Sequence, residues 1–179
     1  MARSSVTLTY ITIMLLCICC LAPPAMAKKN LHLTYYGFET RAGPNTTLLL
    51  AAGAGQSNIS EMGFGSIFVF DNVLRTGSTN TSKVVGHNRG TAVATSVEPI
   101  FTTGGLYMTA DHIFGEGSKY NGSRLTVIGT VADAYPPYTL LIPGGLGYFF
   151  GCSGYASSNP VPATPPLYVF KWDFYLKCK

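Results

Sequence analysis

Between residues 31 and 178 the apolar side chains recur in strict alternation or in short continuous runs, and no stretch carries a helical period with caps. The clearest segment is the last. Tyr168, Phe170, Trp172, Phe174 and Leu176 form one apolar face, while Val169, Lys171, Asp173 and Tyr175 alternate on the other. The run Ile67-Phe68-Val69-Phe70 has the β-branched and aromatic content of a buried strand, which Asp71 and Asn72 are expected to end. Other expected strands cover 31–38, 47–52, 84–95, 106–114, 125–130 and 147–156, with Gly, Pro, Asn and Ser between them. Residues 51–55 and 157–166 read as loops, the second stiffened by Pro160, Pro162, Pro165 and Pro166. This is an all-β chain. Eight such strands predict a single-domain, antiparallel up-and-down barrel, which removes sheet edges and is just wide enough to hold one small ligand at a mouth.

The first 27 residues combine Arg3, an apolar stretch from Ile11 to Leu21 and the small-residue exit Ala25-Met26-Ala27. That is the layout of a cleaved secretory signal. The alternative is a retained anchor, but the apolar core is shorter than the ~20 residues a spanning helix needs. The expected organisation is therefore a signal over 1–27 and a barrel domain over 28–179, exported to the extracellular space. Without Arg3, 11 basic and 8 acidic residues remain, and the longest basic cluster is Lys28-Lys29, so neither nucleic acid nor membrane is an expected partner. Sequons at Asn45, Asn58, Asn80 and Asn121 fall in expected loops or strand edges and become usable on secretion. Cys17, Cys19 and Cys20 leave with the signal. Cys152 and Cys178 then remain as a candidate disulfide pair in an oxidising compartment, two buried free thiols being the alternative.

No Gly-x-Ser-x-Gly, phosphate loop or His/Cys set at metal spacing is present, and His32, His87 and His112 are scattered, so no metal or cofactor is expected. Carboxylates are few, and one on a barrel's inner face must be hydrated, paired or functional. Asp111 and His112 are adjacent within one strand, so one of them points inward. Glu39 and Asp133 follow strands, where a barrel cavity opens. They are the candidate pocket acids, able to accept a hydrogen bond from a ligand hydroxyl or to exchange a proton with a bound ligand. Tyr36, Asp111, His112, Tyr135 and Tyr138 complete the candidate substrate-binding set.

Three blocks occur in order: Phe64-Gly65, Asp71, Leu74, Gly77, Ser82, Val85-Gly86 and Gly90; then Phe114-Gly115-Glu116-Gly117 with Tyr120-Asn121-Gly122-Ser123; then Gly144-Gly145-Leu146-Gly147-Tyr148-Phe149 with Gly154-Tyr155-Ala156. Together they resemble the plant dirigent proteins over residues 31 to 178. The resemblance implies a secreted barrel that binds phenoxy radicals or quinone methides and imparts stereoselectivity on their coupling in lignan and phenylpropanoid biosynthesis. A separate laccase or peroxidase supplies the oxidation, and the barrels associate as homodimers or homotrimers. Some members link the C-terminal cysteine to one near the mature N-terminus, which this chain lacks unless cleavage falls before Cys20. Lignan-forming members carry an Asp after the first strand, a second Asp further on and an Arg before the Gly-Gly pair. The corresponding positions here offer Glu39, Val131 with Asp133 two residues on, and Tyr138, so the family's cation is missing at that place. Two other readings of the same barrel are a lyase or cyclase using Glu39 or Asp133 as acid or base, since the C-terminal blocks also resemble allene oxide cyclases, and a non-catalytic cell-wall or defence protein that binds phenolics or glycans.

Overall fold

The computed structural model describes residues 29–53, 63–98, 105–132 and 136–179. Nine strands follow one another: β1 (Lys29–Thr40), β2 (Leu48–Ala52), β3 (Ile67–Arg75), β4 (Val84–Ala94), β5 (Gly105–Phe114), β6 (Arg124–Ala132), β7 (Tyr138–Leu146), β8 (Cys152–Val161) and β9 (Leu167–Cys178). From β3 to β9 each strand pairs antiparallel with the next, and β1 pairs along its whole length with β9. The ring closes on β3 through two strands in turn. β1 pairs with Val73 to Arg75, and β2 takes over alongside Ile67 to Phe70. The result is a closed eight-stranded barrel in which β1 and β2 share one place.

Alternation decides what fills it. Leu33 and Tyr35 on β1, Leu125 and Val127 on β6, Leu140 and Ile142 on β7, and Trp172, Phe174 and Leu176 on β9 are buried and pack as one core. One end is plugged by aromatic rings. Tyr120, from the β5–β6 turn, and Phe149, from a 3-10 turn after β7, meet with centroids 4.9 Å apart and close over Phe114 and Tyr35. Close strand approach at this end requires glycine at Gly86, whose φ of 153° is positive and where a Cβ would run into the Ile113 carbonyl oxygen. Cys152 and Cys178 face each other across β8 and β9 and form a disulfide. Asn45, Asn80 and Asn121 stand exposed outside the strands, and Asn58 lies outside the described residues. Among the described residues no helix is long and apolar enough to cross a membrane.

Three boundaries differ from the sequence reading. β3 runs through Asp71 and Asn72 to Arg75, because Asp71 faces outward to His87 and Arg89 on β4 while Asn72 is hydrogen-bonded inside the barrel. Residues 138–146 form a strand of their own, with Pro143 opposite a register shift in the β6–β7 ladder, the kind of irregularity that tolerates a proline. The expected strand over 147–156 is displaced accordingly, to Cys152–Val161, and the expected loop over 157–166 begins only after Val161.

Candidate functional site

The end of the barrel opposite the aromatic plug holds an open-mouthed pocket. Phe68, Phe70, Ala92, Leu106, Met108, Val131, Leu140, Phe170 and Trp172 make most of its wall. Glu39 and Arg41 are the charged residues among the described lining, and they oppose one another, so that lining is mostly apolar and carries no net charge. That composition suits an uncharged aromatic ligand held by a few directed polar groups.

The polar groups lie on neighbouring strands. Glu39 points inward from β1 and is 8% exposed. Its Oε1 accepts from Arg41 Nε at 2.6 Å and its Oε2 from Asn72 Nδ2 at 3.1 Å. Asn72 Oδ1 in turn accepts from Thr47 Oγ1 at 2.7 Å. The Arg41 guanidinium carbon stands over the Tyr168 ring at 3.9 Å from its centroid, a cation–π contact that helps to hold its direction. Next along the wall, Asn88 on β4 is the register partner of both Asn72 and His112. Asn88 Nδ2 approaches His112 Nε2 at 2.6 Å, and the His112 ring is packed edge-on against Trp172 and Phe174. Full burial pushes the His112 pKa down to about 3, so the imidazole is neutral at ordinary pH. Across the cavity stand Tyr138 on β7 and Ser158 on β8.

Glu39 and Tyr138 are thus brought to one pocket, with His112 behind its wall. Glu39 belongs to β1 itself, not to the residues after it, and enters the barrel by the alternation Tyr35, Gly37, Glu39. Of the adjacent pair on β5, His112 is the inward member. Asp111 faces outward, where its carboxylate accepts from Thr126 Oγ1 at 2.6 Å and pairs with Arg124 at 3.4 Å, so it has no access to the pocket. Tyr36 is likewise on the outer face, opposite in pleat to Tyr35 and Gly37 and across from Lys171. Asp133 and Tyr135 lie outside the described residues, between β6 and β7.

Sequence reasoning missed Arg41, Asn72 and Asn88. Arg41 was legible in principle, because two residues after Glu39 an extended chain returns to the same face. The Asn residues carried no such signal: Asn72 reads as a strand end and Asn88 as one more position within a strand, and only the register of β3, β4 and β5 sets them beside the pocket. Arg41 supplies a pocket cation from just after β1, while Tyr138 on β7 stands at the position where the sequence comparison places the Arg of lignan-forming proteins.

A closed barrel with one plugged end and one apolar, sparsely polar mouth has the architecture of barrels that can hold one small ligand. The comparisons make the class specific. The Dirigent-like protein family matches residues 30–177, and the chain belongs to that family. It is 28% identical over 152 residues to pterocarpan synthase 1 of Glycyrrhiza echinata, covering 83% of this chain and 78% of that one. It is 30% identical to dirigent protein 23 of Arabidopsis thaliana over 72% of this chain and 66% of the other. Among solved structures, the pterocarpan synthase dirigent protein GePTS1 superposes with a TM-score of 0.74 at 25% identity, covering 88% of this chain and 89% of that chain.

Proposed function

We propose that this dirigent-family barrel binds a phenol-derived intermediate, a phenoxy radical or a quinone methide, and fixes the face on which its next bond forms. The observation that carries the reading is the Glu39–Arg41 pair, set at the side of a largely apolar, open-ended pocket. A planar aromatic ring slides between walls such as Phe68, Met108 and Trp172, and its oxygen substituent is oriented by the pair. Orientation is sufficient as a mechanism. Radicals that couple without guidance give a racemate, and holding them in one chiral geometry changes the outcome without any oxidative step by the barrel. A separate laccase or peroxidase then supplies the radicals, and the protein acts outside the cell, as a homodimer or homotrimer. The test adds purified protein to a phenol and an oxidant and separates the products on a chiral column. An enantiomeric excess that appears only with the protein supports the reading, and a racemate at every protein concentration overturns it.

A second reading, acid–base cyclisation, is favoured by the same pair and by the likeness to pterocarpan synthases. A hydroxyl adds to the exocyclic carbon of a quinone methide, the C–O bond forms, and the ring carbonyl becomes a phenolate. Glu39 takes the hydroxyl proton while Arg41 holds the developing phenolate, which is finally protonated, so the reaction is an isomerisation. In this case the protein accelerates ring closure with no oxidant present.

A further inference from the structure

The pocket has a second polar position that neither reading uses. Asn88 is the deepest lining residue on β4 and is 2% exposed. Its Nδ2 is committed to His112 Nε2 at 2.6 Å. His112 has little freedom to turn, because the Trp172 and Phe174 rings stand edge-on to it at centroid distances of 4.7 and 4.8 Å. A neutral imidazole keeps one ring nitrogen as an acceptor, and Asn88 Nδ2 stands 2.6 Å from Nε2 and 3.4 Å from Nδ1, so the amide nitrogen is turned to the imidazole. The amide is thereby fixed with its carbonyl oxygen as the acceptor it can offer to the cavity. Asn72 beside it is already spent on Glu39 and Thr47.

We propose that Asn88, positioned by His112, is a specificity residue that selects aromatic ligands carrying a free hydroxyl at the end that enters the barrel first. The inference rests on the reading of the pocket as a phenolic site. A buried acceptor left facing an unsubstituted ring, or the methyl of an ether, loses its hydrogen bond without water to replace it, which typically costs a factor of about ten or more in affinity.

Calorimetric titration with three probes tests this: para-hydroxystilbene, stilbene and the methyl ether of para-hydroxystilbene. The intact protein should bind the phenol about tenfold more tightly than either of the others. In Asn88→Leu that preference should collapse toward one. In His112→Phe, which keeps a ring of similar size but releases the amide, it should fall part of the way, so the proposal stays testable if Asn88→Leu does not fold. An undiminished preference in either variant overturns the proposal, as does tighter binding of the ether, which would mean that the amide nitrogen faces the cavity. A preference lost only in Glu39→Gln also overturns it, placing the hydroxyl at the Glu39–Arg41 pair and leaving the proposed function standing. If the intact protein binds none of the three, both fall together.

Discussion

Arg41 Nε donates to Glu39 Oε1 at 2.6 Å from only two residues away, because both side chains leave the β1 edge on the side of the barrel mouth. Each is held on its other side as well, Glu39 by Asn72 and Arg41 by the Tyr168 ring. The pair is therefore oriented before any ligand arrives, and a ligand oxygen meets a donor and an acceptor at fixed positions.

Removing one member leaves the other largely buried without its counter-charge. Arg41→Met should destabilise the fold by about 1–3 kcal/mol. Arg41→Met combined with Glu39→Gln should recover part of that loss, since no ionised group then remains unpaired. A denaturant double-mutant cycle measures the coupling, and strict additivity would mean that the pair contributes nothing to the folded state.

His112 gives the barrel a characteristic response to acid. Its folded pKa of about 3 lies below the ordinary value of 6.5, so between these the unfolded chain binds a proton that the folded chain refuses. Stability is therefore fully present above 6.5 and is lost as pH falls toward 3, with a limiting slope of about 1.4 kcal/mol per pH unit. At lower pH two carboxylates add to the loss. Burial works to raise Asp71 and Asp173, but Asp71's bonds to His87 and Arg89 and Asp173's bonds to Lys171, Thr34 and His32 together hold both below 3.8 in the folded state. Chemical denaturation of His112→Phe should show a flatter pH dependence between about 6 and 4.5 than the unmodified protein. Parallel curves would mean that water reaches the imidazole.

Trp172 is 7% exposed and lies in the layer between the pocket and the core, against Phe174 and His112. Trp172→Ala should cost about 3–5 kcal/mol by equilibrium unfolding, the range for deleting a large buried aromatic. A loss under about 1 kcal/mol would place the side chain outside the cooperative core.

The alternation on β9 was legible in its second half, where Trp172, Phe174 and Leu176 are in the core and Lys171 and Tyr175 are outside, although Val169 and Asp173 on the other face are buried as well. β7 was not, because Pro143 and Gly144-Gly145 read as turn residues, and only the register shift opposite Val127 lets them sit in a ladder. The pocket's polar network was half visible. Glu39 is conspicuous in a chain with few acids, whereas Asn72 and Asn88 gain meaning only when β3, β4 and β5 are set side by side. Asp111 and His112 show the limit of local reasoning, since alternation sends one inward but register decides which.

The proposed export signal and the sequons lead to a simple expectation. Asn45, Asn80 and Asn121 are exposed, so protein secreted by a plant cell should begin at Lys28 and lose mass on glycosidase treatment. Intact mass spectrometry reads both. A chain that retains residues 1–27, or whose mass does not change, contradicts the corresponding half of the expectation.

The central claim is that Glu39 and Arg41 orient a phenol-derived intermediate, and the enantiomeric excess of a coupling reaction tests it most directly. A phenol and a fixed amount of laccase are incubated with the intact protein, with Glu39→Gln or with Arg41→Met, each first shown to be folded. The products are then resolved by chiral chromatography while oxidant consumption is followed. The account predicts an excess with the intact protein, a near-racemate with either variant, and the same rate of oxidation throughout. An excess that survives both substitutions would contradict it.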